Sequence, residues 1–136
     1  MREAPLIVAC ACLLWWSACH STSPVAPPVP LNQRLTLAPG ESVSIRDMPL
    51  RLAFLNVSGD SRCPADAFCI QGGDAIVHVR VTDDGSAEYE LHTGDRSRAS
   101  TVHAGVRIEL ADLQPYPFSS RTIDPADYRA VFTVSR

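Results

Sequence analysis

From Leu31 onward, apolar and polar residues alternate with a period of two, and turn-forming residues break the runs. Such alternation puts every second side chain on one face, as in a half-buried strand. The runs predict strands over residues 34–37, 42–45, 50–57, 75–82, 86–92, 106–113 and 128–135, with 101–103 as a short addition. The breaks carry turn chemistry: Pro39-Gly40, Asp47 to Pro49, Gly72-Gly73, Asp83-Asp84-Gly85 and Gly94-Asp95. No stretch keeps a helical apolar stripe for three turns. Asp124-Pro125-Ala126-Asp127 predicts one helical turn, with Asp124 as its cap and Pro125 at its first position. About seven short strands imply an all-β domain: a single small β-sandwich, or alternatively a small β-barrel.

One hairpin has a predictable register. Val77, Val79 and Val81 belong on the core face, as do Tyr89 and Leu91. A two-residue turn would set Val79 against Glu90 and mix the faces. A three-residue loop, Asp83-Asp84-Gly85, instead sets Val79 against Tyr89 and Val77 against Leu91. It also pairs Arg80 with Glu88 and His78 with Glu90 on the outer face. This register places Gly85 in the left-handed position of a bulge.

The N-terminus breaks the alternation. Arg2 is followed by a nearly continuous apolar run from Pro5 to Trp16, then Ser17, Ala18 and Cys19. That is the layout of an export signal over residues 1–18. The run is short for a bilayer span, which takes about 20 apolar residues. Ser17-Ala18-Cys19 fits the end of a bacterial lipobox, with Trp16 where an aliphatic residue is usual, so Cys19 is the candidate lipidation site. Residues 19–30 are rich in Pro and Ser and read as a tether that forms neither helix nor sheet. The β domain then spans 31–136. Cleavage before Cys19 leaves 118 residues, 136 less 18, enough for one small core. His20 in place of Asp after the Cys favours the outer membrane, facing the periplasm or the cell surface, with free secretion as the alternative.

The net charge is −3, and the chain has no Lys and no basic cluster. That argues against nucleic acid as a partner and against a polybasic membrane patch. Outside the N-terminal segment only Cys63 and Cys69 remain, a spacing that in an exported chain reads as one disulfide closing a small loop.

That loop is the least regular part of the domain. Residues 60–73, DSRCPADAFCIQGG, join two apolar strands and bring Arg62, Asp66, Phe68 and Gln71 together beside a Gly pair suited to close backbone approach. Two roles stand open for it. Arg62 pairs with Asp60 or Asp66 and ties down loop carbonyls while Phe68 plugs the core, or these residues meet a ligand or partner. Pro115-Tyr116-Pro117-Phe118 is a second aromatic loop, either a lid on the core or a recognition surface with Tyr116 and Phe118 preordered for binding.

Asp60-Ser61-Arg62-Cys63-Pro64, the second Cys, and the alternating strand beyond it resemble a family of small uncharacterised bacterial lipoproteins and secreted proteins. Val106-Arg107-Ile108-Glu109-Leu110, Pro115-Tyr116-Pro117 and Asp127-Tyr128-Arg129-Ala130 extend the likeness over roughly residues 50–134. The resemblance implies a β fold and an exported site, and carries no activity with it. Gln71-Gly72-Gly73 departs from the Trp-Ala-Gly such proteins tend to have after the second Cys.

Chemistry-bearing motifs are sparse. No Gly-x-Ser-x-Gly, His-Glu-x-x-His, phosphate loop or dinucleotide fingerprint occurs. His78, Glu90 and His92 fall on the outer face of the predicted hairpin, three potential metal ligands that solvated sheet surface explains as well. Neither a metal, a cofactor nor catalysis is expected. The reading is an exported envelope lipoprotein, held to the membrane by its lipid, acting as a non-catalytic binding or accessory module toward an envelope or extracellular protein. Two alternatives stand beside it: a protease-inhibitor-like secreted domain that offers Arg62 or Phe68 on the disulfide loop, and a purely structural envelope protein.

Overall fold

The computed structural model describes residues 26–136. The predicted export signal, Cys19 and the first part of the predicted tether lie outside the described residues. Nine strands build two sheets. In chain order they are β1 (Ala26–Val29), β2 (Arg34–Leu37), β3 (Ser42–Ile45), β4 (Arg51–Asp60), β5 (Ala75–Thr82), β6 (Ser86–His92), β7 (Ser100–His103), β8 (Val106–Gln114) and β9 (Arg129–Ser135). The first sheet runs β1-β3-β4-β5-β6 and the second β2-β9-β8-β7. The two sheets remain separate ladders, so the fold is a small β-sandwich and the barrel alternative falls.

The alternation explains the packing. In β5 the pattern is strict: Ala75, Val77, Val79 and Val81 are buried. Leu52 and Phe54 of β4 join them from the same sheet, and Ile108, Leu110, Ala130, Phe132 and Val134 face them from the other. Phe54 and Phe132 meet edge to face across the layers, with ring centroids 6.2 Å apart. Shifts in pairing register fall between Phe54 and Asn56, between Val57 and Gly59, and between Leu110 and Asp112.

The β5–β6 hairpin has the predicted register, with Val79 opposite Tyr89, Val77 opposite Leu91, Arg80 opposite Glu88 and His78 opposite Glu90. Its three-residue loop is also as expected, but Gly85 is not left-handed; that conformation occurs at Gly40, Gly73 and Gly105. Asp83 closes the turn instead, its carboxylate accepting from the Gly85 amide at 2.9 Å. The predicted helical turn is a 3₁₀ turn over Pro125–Asp127, capped by the Asp124 carboxylate, which accepts from the Ala126 amide.

Part of the segment expected to form neither helix nor sheet is a strand. Ala26–Val29 forms β1 and pairs in parallel with β3 at the edge of the first sheet, Ala26 beside Val43 and Val29 beside Ile45. Pro27 and Pro28 have no amide to give, yet an edge strand needs partners on one side only. Carbonyls supply the contact: Val29 O accepts from the Arg46 amide at 2.9 Å.

Candidate functional site

β4 and β5 end side by side, Asp60 opposite Ala75, and the chain between them projects from one end of the sandwich. Its base is pinned by backbone bonds: Ser61 N to Asp74 O at 2.7 Å and Cys63 N to Gly72 O at 2.8 Å. The pinning requires glycine at 73. Its φ is +68°, and a Cβ there would lie 1.7 Å from Ser61 O. Gly94 is similarly crowded, since its Cβ would meet Gly73 O at 2.4 Å. Above this base Cys63 and Cys69 form the expected disulfide, with Cα atoms 5.9 Å apart.

Arg62 turns inward. It is 9% exposed, and all three nitrogens of its guanidinium donate hydrogen bonds. Nε and Nη2 donate to the two oxygens of Asp60 at 2.9 and 2.7 Å, Nη1 donates to Leu113 O at 2.5 Å, and Nη2 also donates to Pro115 O at 2.9 Å. The Tyr116 ring lies 5.3 Å from its central carbon. Tyr128 completes the cluster, its hydroxyl donating to Asp60 Oδ2 at 3.0 Å. Burial pushes the Asp60 carboxyl up, but the Arg62 hydrogen bonds and charge and the Tyr128 hydroxyl outweigh it, so its pKa lies below the usual value. Tyr128 goes the other way: burial and the adjacent Asp60 push its phenol up to about 12.

The Arg62 contacts bridge two loops. Leu113 and Pro115 belong to the end of β8 and the segment after it, so the guanidinium ties the 115–118 loop to the disulfide loop. Two more bonds do the same: Ala65 N to Pro117 O at 2.9 Å, and the Ser119 amide to Asp66 Oδ1 at 2.8 Å. The two aromatic loops that the sequence singles out separately are therefore one composite surface.

The six candidate residues divide sharply. Arg62 serves the clamp and is withdrawn from solvent, which also removes it as the residue to fill a protease pocket. Asp66 is exposed and fastens the loops together through Ser119. Phe68 does not plug the core; it is fully exposed, as is Ile70. Gln71 lines an open cleft of about 640 Å³ with Ser61, Gly72, Thr93 and Tyr116. Tyr116 is half-exposed, packing on Arg62, and Phe118 is partly exposed with Arg121 5.4 Å from its ring centre, so neither is a core lid. Ile70 is the residue that sequence reasoning missed. The signal was present: it follows the second Cys, two positions after Phe68, where the disulfide leaves no strand to bury it.

His78, Glu90 and His92 do not gather as ligands. His78 Nδ1 lies 3.9 Å from Glu90, but His92 is buried under the returning segment 93–99, its amide donating to Arg98 O. Its Nδ1 bonds Asp74 Oδ2 at 2.5 Å. That contact and the Gly94 amide outweigh the effect of burial on Asp74 and hold its carboxyl below the usual value. Nε2 of His92 is enclosed without a hydrogen-bond partner. Among the described residues no group of three His, Cys, Asp or Glu side chains is placed to hold a metal.

Comparison with known proteins leaves the site to speak for itself: no family model, no curated protein and no solved structure matches the chain.

Proposed function

We propose that the protein is an exported envelope lipoprotein, anchored through Cys19, whose sandwich is a non-catalytic contact module. The observation that carries the contact role is the pairing of full exposure with rigid support. Phe68 and Ile70 stand in solvent on a loop closed by a disulfide, pinned at Gly73 and clamped by Arg62. Large apolar side chains held outward by a built framework are costly to solubility and gain nothing for the fold, so a surface that covers them accounts for both. Preordering limits the entropy lost on contact. The disulfide belongs in an oxidising compartment, in keeping with export.

A photo-crosslinking residue at position 68, expressed in the host, tests this. The reading expects adducts from position 68 and none from the same group at Glu88, on the exposed face of β6. Equal, background labelling at both positions would refute a contact role for the loop.

A further inference from the structure

We propose that the covering surface is a lipid bilayer, with Phe68 and Ile70 entering the boundary between headgroups and acyl chains. The proposal rests on the lipid anchor at Cys19 and goes beyond it, because it sets how the domain stands on the membrane.

Strand direction makes the argument. β4 runs toward the disulfide loop, β3 is antiparallel to β4, and β1 is parallel to β3. Ala26 is therefore the end of β1 that faces the loop, and the chain joins the sandwich from that side. Ala26 pairs with Val43, which pairs with Leu52, and Asp60 lies eight residues further along β4. At about 3.3 Å per residue that is about 26 Å, and the loop rises beyond it. Cys19 and Ala26 are seven residues apart, which in extended polyproline geometry reaches about 22 Å. Even fully extended along β1, such a tether reaches only about the base of the loop, which leaves the loop tip at or past the level of a lipid at Cys19. A tether pointing along β1 brings the loop onto the bilayer rather than holding the domain away from it.

The tip of the disulfide loop and the far end of the sandwich differ in the matching sense. The far end turns through Arg46-Asp47 and Asp83-Asp84, where Arg46, Asp47 and Asp84 are exposed. Between the two cysteines the near end has one charge, Asp66, already bonded to Ser119. Aromatic and aliphatic side chains with polar backbone around them suit the membrane interface. Arg96, Arg98 and Arg121 are exposed on segments at the same end beside exposed Asp95, Asp124 and Asp127, so the rim carries both signs and the lipid contact rests on Phe68 and Ile70.

The chain supplies its own blank for an optical test. Its two tryptophans, Trp15 and Trp16, precede Cys19, so a chain cut there contains none. Phe68→Trp, at a fully exposed site, introduces a single reporter, and Asp84→Trp at the far turn is the control. The lipidated protein, its acyl groups verified by mass, is placed in vesicles of phosphatidylethanolamine and phosphatidylglycerol with and without nitroxide-labelled lipid. The proposal expects indole emission from position 68 to move to shorter wavelength and to be quenched by the nitroxide, while position 84 shows neither. Water-like, unquenched emission from position 68 on lipidated, vesicle-bound protein would overturn the lipid contact and leave the anchor standing. Emission that shifts only when envelope proteins are added would assign the loop to a protein partner and also overturn it. A mature chain without acyl groups at Cys19 would overturn the anchor and this orientation together.

Discussion

Removing the Arg62 guanidinium should cost about 4 kcal/mol, a large share of what a domain this size has. In Arg62→Ala the Asp60 carboxylate, whose side chain is 11% exposed in the native fold, keeps only the Tyr128 hydroxyl and the backbone amide of residue 62, 3.0 and 3.1 Å away. Breaking one partner out of a buried ion pair costs about 3–5 kcal/mol, most of it the stranded charge. The carbonyls of Leu113, in a buried bond, and Pro115, in a part-buried one, also lose their donors, and water replaces part of the loss only at Pro115. Urea unfolding followed by circular dichroism measures the effect. With a slope of about 1.5 kcal/mol per molar, within the range for small domains, the midpoint should fall by about 2.7 M. Arg62→Lys keeps the charge but not the planar fork, and should fall between the two. A double-mutant cycle with Asp60→Asn should give a coupling well above 0.5 kcal/mol, because Asn leaves no charge to strand. An unfolding free energy for Arg62→Ala within about 0.5 kcal/mol of the parent, or simple additivity with Asp60→Asn, would refute the clamp.

Other parts of the cluster make separate predictions. Tyr128 has a folded pKa raised to about 12, so its contribution is complete below pH 10 and drains away as pH rises toward 12; absorbance titration should show a late phenol phase that Tyr128→Phe removes. Asp60 has the opposite sign: its pKa is depressed, so its contribution holds above the ordinary carboxylate range near 3.8 and is lost as pH falls through the lower folded value. Acid unfolding should therefore flatten in Asp60→Asn. Gly73→Ala should destabilise severely through its +68° φ and the clash with Ser61 O, whereas Gly72→Ala, with open space around it, should stay within about 0.5 kcal/mol in the same denaturation assay. Replacing Cys63 and Cys69 together by Ser should cost about 2 kcal/mol, since the closed loop is short.

Most strands were legible because their burial follows a two-residue period; even the hairpin register followed from matching Val79 to Tyr89 rather than to Glu90. β1 was not legible, because Pro27 and Pro28 argue against a ladder and only the free edge of β3, a tertiary feature, makes room for carbonyl acceptance. His92 holds the outward register beside Ile76, yet it is buried, because the segment 93–99 folds back over it, and no periodicity encodes that return. At the candidate site the Asp60–Arg62 pair was readable from its two-residue spacing. The joining of the loops was not, since Leu113, Pro115 and Ser119 lie more than fifty residues away in the chain. Phe68 was misplaced for a related reason: aromatic residues usually bury, and only the closed geometry of the disulfide loop keeps this one outside.

The most direct test of the account is the intact mass of the protein recovered from the membranes of its host. The account predicts a chain that starts at Cys19, bears a diacylglyceryl or triacyl group there, and is lighter by two hydrogens for the Cys63–Cys69 disulfide. An unacylated chain starting after Ala18, or within the Pro-rich stretch, would contradict it and make this a freely secreted protein.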